Sequence, residues 1–133
     1  MIKVKRTPME LMDDIYTLAY WLTGSESGAT ELVNRTYLNV EFDSSENEVF
    51  KTFRECYFDT IGEECLLNTA DSAEKSLVQR NADIKLSVLL SEISGMTHRS
   101  ISKIIGKPLN TVRLWLSSGR KSFVNALYYS AVD

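Results

Sequence analysis

Apolar side chains recur at steps of three and four residues along most of this chain, which is the spacing of one face of an α-helix. The first such face follows Thr7, where Pro8 suits the first position of a helix and Glu10 completes a capping box. The residues expected to point inward from this helix are Met9, Met12, Ile15, Tyr16, Ala19 and Leu22. No segment alternates apolar and polar residues for long, so the pattern predicts an all-α fold without strands.

The same spacing predicts the remaining helices. A second helix is expected over residues 27–40, and a third opens at a capping box of Ser45 and Glu48 and can end at Gly62. The aromatic residues of this part of the chain are expected to be mostly core: Phe42, Phe50, Phe53, Tyr57 and Phe58. Later helices are expected near 73–79, from about 82 to 93, up to 105, and from 110 or 111 to about 128.

Residues 93–116 have the pattern of a helix-turn-helix motif. Thr97 can cap a short helix, Gly106 permits a sharp exit from it, and Pro108 prevents its continuation. Asn110 is expected to cap the next helix. The expected core positions of that helix are Val112 and Leu116, and its expected outward positions are Thr111, Arg113, Leu114, Trp115, Ser117, Ser118, Arg120 and Lys121. Since the second helix of such a motif lies in the major groove, this segment is a candidate DNA-binding site.

Charge divides the chain into two parts of opposite sign. The whole chain has a net charge of −3. Residues 1–72 contain six Lys/Arg and fourteen Asp/Glu, a net charge of −8, whereas residues 73–133 contain nine and four, a net charge of +5. This asymmetry suggests two modules with different partners. We therefore expect a helical module over residues 1–67, a linker over 68–72 and a DNA-binding module over 73–133.

Composition argues against an enzyme or a metal site. Cys56 and Cys65 are the only cysteines and lack the Cys-x-x-Cys spacing, and a single histidine, His98, leaves no nucleophile–base pair to build. We expect no catalytic residues, no cofactor, no metal and no small-molecule substrate. No apolar run approaches the roughly 18 residues that cross a bilayer, and no apolar stretch follows the basic first six residues. The expectation is a cytoplasmic protein without membrane contact.

Several segments resemble small bacterial sigma factors of the extracytoplasmic-function type. Residues 90–113 read LSEISGMTHRSISKIIGKPLNTVR and resemble region 4 of that family. Residues 18–25, LAYWLTGS, and 31–38, ELVNRTYL, resemble two parts of region 2, and residues 53–61, FRECYFDTI, stand where the family has a further helix. The segments occur in the family's order and cover nearly the whole chain.

The resemblance implies a transcription initiation protein whose partners are core RNA polymerase and promoter DNA. Region 2 of the family docks on the polymerase clamp and helps to melt the minus-ten element, and region 4 reads the minus-thirty-five element. The residues implied in polymerase binding are Glu31, Asn34, Arg35 and Leu38. The residues implied in DNA binding are Arg99, Asn110, Thr111, Arg113, Leu114, Ser117, Arg120 and Lys121.

Two other interpretations of the sequence stay open. Arg35 stands where the family has an acid, and Trp115 and Ser118 stand where it has arginines. These differences favour a sigma mimic that binds an anti-sigma factor or polymerase without starting transcription, with Trp115 in a protein contact. The other alternative is an ordinary helix-turn-helix regulator that dimerises through Phe123, Tyr128 and Tyr129.

Overall fold

The computed structural model describes residues 6–64 and 72–118, and this part of the chain is helical without strands. The all-α prediction is therefore confirmed. The helices are α1 (Met12–Thr23), α2 (Glu26–Leu38), α3 (Glu46–Glu64), α4 (Ser72–Glu92), α5 (His98–Ile105) and α6, which is described over residues 109–118. Contacts divide the chain into two compact units, Met1–Gln79 and Arg80–Asp133.

The first unit is built around α2, which packs against both α1 and α3. Its apolar core combines residues from the three helices and from the turn before α1: Leu11, Ile15, Leu18, Leu32, Val49, Phe50 and Phe53. Arg6 fastens the segment before α1 to two helices, because its guanidinium bonds Asp14 at 3.0 Å and also forms an ion pair with Glu46. The start of the described chain is thereby held against the beginning of α3.

Both capping boxes predicted from the sequence form, at the start of α3 and at the turn over residues 8–11; the prediction of a helix that starts at Pro8 is wrong, because α1 begins at Met12 without a side-chain cap. The backbone N–H of Glu10 donates to the Thr7 hydroxyl at 3.2 Å, and the Thr7 N–H donates back to the Glu10 carboxylate at 3.3 Å. Ser45 accepts from the N–H of Glu48 at 3.2 Å, and its hydroxyl bonds the Glu48 carboxylate at 3.0 Å. These local bonds satisfy donors that the first helical turn leaves without partners.

Two further predictions for the first unit are wrong. Met9, Met12 and Tyr16 are exposed, because the buried face of this segment consists of the predicted Ile15, Ala19 and Leu22 together with Leu11 and Leu18. Gly62 does not end the third helix, which continues to Glu64. Its backbone dihedral φ is not positive, so this glycine provides no turn of the kind that terminates a helix.

The second unit takes its core from α4, α5 and α6. The buried apolar residues are Ala82, Leu86, Val88, Leu89, Leu90, Ile101, Ile104, Ile105, Val112, Trp115 and Leu116. The two helices expected over 73–79 and 82–93 are a single helix, α4, of 21 residues. The polar sequence between them, Arg80-Asn81, contains neither glycine nor proline, so nothing local breaks the helix there.

The predicted boundary between modules remains a prediction. Most of the expected linker, 68–72, lies outside the described residues, and Ser72 is the first residue of α4. Phe123, Tyr128 and Tyr129, expected to mediate dimerisation in one interpretation, also lie outside the described residues, as does the predicted end of the last helix near 128.

Candidate functional site

The short helix α5 begins and ends with the local devices that the sequence predicts. Thr97 has extended backbone, and its hydroxyl accepts a hydrogen bond from the N–H of Ser100 at 3.2 Å. Gly106 ends the helix with φ of 76°, and its N–H donates to the Ser102 carbonyl oxygen at 2.8 Å. Since only glycine adopts this left-handed conformation without steric cost, Gly106 sets the sharp exit from α5.

The turn between α5 and α6 spans three residues, Gly106, Lys107 and Pro108. The Ser102 hydroxyl donates to the Lys107 carbonyl oxygen at 2.5 Å, which ties the turn back to α5. The carbonyl oxygen of Pro108 accepts the first hydrogen bond of α6, from the N–H of Val112 at 3.1 Å. A short helix, a three-residue turn and a second helix are the parts of a helix-turn-helix motif.

Asn110 does not cap α6, contrary to the sequence-based prediction. The helix begins at residue 109, so Asn110 lies inside its first turn with an exposed side chain. Pro108, whose carbonyl oxygen accepts the first hydrogen bond of α6, therefore occupies the position from which a capping side chain would act. The Asn110 side chain consequently takes no part in the capping role that the sequence suggested for it.

Trp115 is the largest correction to the predicted site. It was expected on the outward face of α6, but only 6% of its surface is exposed. Trp115 lies three positions after Val112 and directly before Leu116 in the sequence. At this spacing the three buried residues share one helix face. That spacing was visible in the sequence. The prediction that places Trp115 on the outward face is therefore wrong, although the same spacing correctly predicts the burial of Val112 and Leu116.

The remaining expected DNA-binding residues of α6 lie on one exposed row. This row consists of four exposed residues: Asn110, Arg113, Leu114 and Ser117. Their spacing of three, one and three positions places them on one face of the helix. Thr111 is half-buried beside this row. Arg99 is exposed on α5, whereas Arg120 and Lys121 lie outside the described residues.

Positive charge is concentrated on this motif. Residues 93–118 contain Arg99, Lys103, Lys107 and Arg113 and no aspartate or glutamate. The four cationic side chains are all exposed, and within the described chain none of them is in an ion pair. A segment with four exposed cations and no acidic residue of its own attracts a polyanion such as the DNA backbone.

The four residues expected to contact polymerase also share one helix face. Glu31, Asn34, Arg35 and Leu38 follow one another along α2 at helical spacing, and all but the half-buried Arg35 are exposed. Arg35 pairs with Glu31 at 3.2 Å, so its charge is balanced within the same helix. Leu38 is 84% exposed and forms an apolar end to this row.

Phe42 is another large apolar residue of the first unit that is exposed, contrary to its predicted place in the core. It is 91% exposed in the loop before α3, whereas the prediction placed most aromatic residues of this region in the core. Phe50, Phe53 and Tyr57 are indeed buried. The signal for Phe42 is its sequence context, because it stands between Glu41 and Asp43 in a polar loop, outside the helical spacing that the core residues share.

Neither cysteine chemistry nor metal binding is evident in the described residues. Burial raises the pKa of the Cys56 thiol, which disfavours the reactive thiolate. Within residues 6–64 and 72–118 no group of three or more potential metal-ligating side chains comes together. In the same part of the chain, none of the helices combines the length and the apolar character that crossing a membrane requires.

No protein-family model matches the chain, and no curated protein matches it significantly.

Proposed function

We propose that this chain is a sigma-like transcription protein of the extracytoplasmic-function type, which binds core RNA polymerase through its first unit and promoter DNA through α6. The observation that carries the proposal is the motif of α5, the Gly106–Pro108 turn and α6. It joins a buried apolar face to an exposed row of residues suited to the major groove. The resemblance of the sequence to regions 2 and 4 supports the sigma-like assignment.

In this function α6 is the recognition helix for the minus-thirty-five element. Arg113 is suited to bond guanine in the major groove, and Asn110 is suited to bond adenine. Thr111 and Ser117 carry hydroxyls that contact bases or phosphates. The contacts that hold the protein on DNA without regard to sequence come from Arg99 and from Arg120 and Lys121.

The row Glu31–Asn34–Arg35–Leu38 on α2 is the proposed polymerase-binding surface. Its apolar end suits a protein partner, since a large exposed apolar side chain such as Leu38 gains free energy when a partner covers it. The pair of Glu31 and Arg35 supplies charge at the same face, where it contributes more to orientation and specificity than to affinity. Minus-ten melting has weaker support, because the exposed acids Glu41 and Asp43 repel DNA strands.

A salt titration with a substitution on each face of the motif tests DNA binding. Binding of fluorescent promoter duplexes should weaken steeply between about 50 and 200 mM salt. Arg113→Ala should weaken binding by about 1–3 kcal/mol and relax base preference, whereas Arg99→Ala should weaken all sequences evenly and lower the salt slope by about 1. Arg80→Ala is the charge-matched control, because Arg80 is an exposed arginine on α4 outside the motif.

One result of these measurements would contradict the proposed role of α6 in DNA binding. If affinity is unchanged in Arg113→Ala and in the double substitution of Arg120 and Lys121, α6 is not a recognition helix.

Purified core polymerase from the native cells tests the first unit. Leu38→Asp should abolish co-elution of the chain with polymerase, because it places a charge at the apolar end of the proposed surface. Leu77→Asp is the matched control, since Leu77 is also an exposed leucine, on α4, at 55% exposure. Equal co-elution of the two variants would remove the α2 row from the polymerase interface.

A sigma mimic is the second candidate function, and Phe42 favours it. An aromatic side chain exposed between Glu41 and Asp43 suits a protein pocket with a basic rim better than it suits DNA. The burial of Trp115 removes one argument for this candidate, because Trp115 is not on the surface to make a protein contact. A mimic would bind an anti-sigma factor or polymerase tightly and would show no preference among duplex sequences.

A further inference from the structure

Leu114 is the one large apolar residue in the exposed row of α6. It is 63% exposed, and its neighbours in the row are Asn110, Arg113 and Ser117. Its side chain contributes nothing to the core at this position, because the adjacent Trp115 and Leu116 fill the buried face. Exposing a leucine to water forgoes the free energy of burying it, so the position gains from a partner that offers an apolar group.

The only strongly apolar group at a base edge in the major groove is the C5-methyl group of thymine. The cations of residues 93–118 direct this face toward phosphates rather than toward an apolar partner surface. Resting on the DNA-binding function proposed above, we propose that Leu114 is a specificity-determining residue that contacts the C5-methyl group of a thymine.

The position of Leu114 in the helix also limits where that thymine lies. Consecutive residues of an α-helix advance only about 1.5 Å along its axis, less than the roughly 3.4 Å between base pairs. We therefore expect Arg113 and Leu114 to contact bases that are adjacent or one step further apart. The preferred element combines a guanine, contacted by Arg113, with a thymine within two base pairs of it on either strand.

Deoxyuridine provides a direct probe, because it differs from thymidine only by the missing C5-methyl group and pairs in the same way. The full chain, alone and with core polymerase, would first select duplexes from a randomised library. Each thymine of the selected sequence would then be replaced singly by deoxyuridine, and affinity would be measured by fluorescence anisotropy. We expect one position, near the guanine, at which deoxyuridine weakens binding about fourfold, the effect of one methyl-sized group.

A substitution of Leu114 tests whether this residue makes the contact with the methyl group. In Leu114→Ala the selected thymine duplex should bind more weakly, and the difference between thymine and deoxyuridine at that position should disappear. Leu77→Ala, which removes an exposed leucine of α4, should retain both the affinity and the deoxyuridine effect. Circular dichroism and thermal unfolding confirm that both variants are folded.

The outcomes separate this inference from the function on which it rests. If no sequence is enriched from the library, DNA recognition itself is wrong and the role of Leu114 is wrong with it. If a sequence is enriched but every deoxyuridine is tolerated, or the effect persists in Leu114→Ala, DNA recognition stands and the thymine contact is overturned. A Leu114→Ala variant that loses polymerase but keeps its affinity for every duplex also overturns it.

Discussion

The hydroxyl of Tyr37 donates a hydrogen bond of 2.6 Å to the carbonyl oxygen of Pro8, which lies 29 positions earlier in the chain. This bond joins the end of α2 to the turn that precedes α1. Tyr37→Phe should reduce the free energy of unfolding by about 1 kcal/mol, because it removes this hydrogen bond and leaves the Pro8 carbonyl oxygen with only the longer bond from the Leu11 N–H, at 3.2 Å. Chemical denaturation of both proteins measures the difference, and equal midpoints would show that water replaces the hydroxyl without loss.

The contribution of Tyr37 should also depend on pH. Burial raises the pKa of the Tyr37 phenol in the folded chain above its usual value near 10. The stabilisation is therefore complete below pH of about 10 and is lost as pH rises through the folded value, because the unfolded chain ionises first. The stability difference between the wild type and Tyr37→Phe should shrink above pH 10. A constant difference up to pH 11 would contradict this.

Thr97 and Asn110 provide a matched test of the two expected helix caps. Thr97→Ala should cost about 1 kcal/mol of stability, since the hydroxyl accepts from the first turn of α5. Asn110→Ala should change stability little, because α6 starts one residue earlier and the Asn110 side chain is exposed. In the proposed function its effect falls on DNA affinity instead. Thermal unfolding and duplex binding of both variants give the comparison, which a large stability loss in Asn110→Ala would overturn.

Gly62 and Gly106 should respond in opposite directions to alanine. A Cβ atom at either position would meet no other atom within 4 Å, so steric contact does not distinguish them. Gly106 has φ of 76°, and alanine there should cost roughly 1–2 kcal/mol. Gly62 lies within α3 without positive φ, and alanine there should stabilise by about 0.5–1 kcal/mol. Urea unfolding of the two variants checks both signs.

Leu114 and Trp115 are consecutive but should differ widely when truncated. Trp115→Ala removes a buried indole and should cost about 3–5 kcal/mol. Leu114→Ala removes an exposed side chain and should change stability by less than about 0.5 kcal/mol. Differential scanning fluorimetry is sufficient to separate effects of this size. Similar losses in the two variants would mean that α6 is rotated from the orientation described.

Many local signals in this sequence predict local structure correctly, although the predicted helix end at Gly62 and the predicted cap at Asn110 are wrong. The caps at Thr7, Ser45 and Thr97 and the exit at Gly106 each depend on residues within four positions, and all four form. The apolar faces of α5 and of much of α3 follow from spacing alone. These features are predictable because their energetics involve one helix turn and its immediate neighbours.

Other errors arise where neighbouring helices decide which face is buried. In and just before α1, the predicted face joins Met12 and Tyr16 to Ile15, Ala19 and Leu22, whereas the buried face joins Leu11 and Leu18 to the same three residues. Contact with α2 selects the second, and periodicity within one helix contains no information about it. The same reason explains Phe42, whose exposure depends on where the loop lies against the rest of the unit.

The burial of Trp115 gives the chain two tryptophans in different surroundings. Trp21, on α1 in the first unit, is 41% exposed, whereas Trp115 is enclosed in the second unit. Intrinsic fluorescence therefore has one component from the solvent-exposed indole of Trp21 and one from the buried indole of Trp115, each in a different unit. A red shift of emission reports opening around Trp115, and quenching by iodide reports access to Trp21. The protein carries its own spectroscopic label for each of its two compact units.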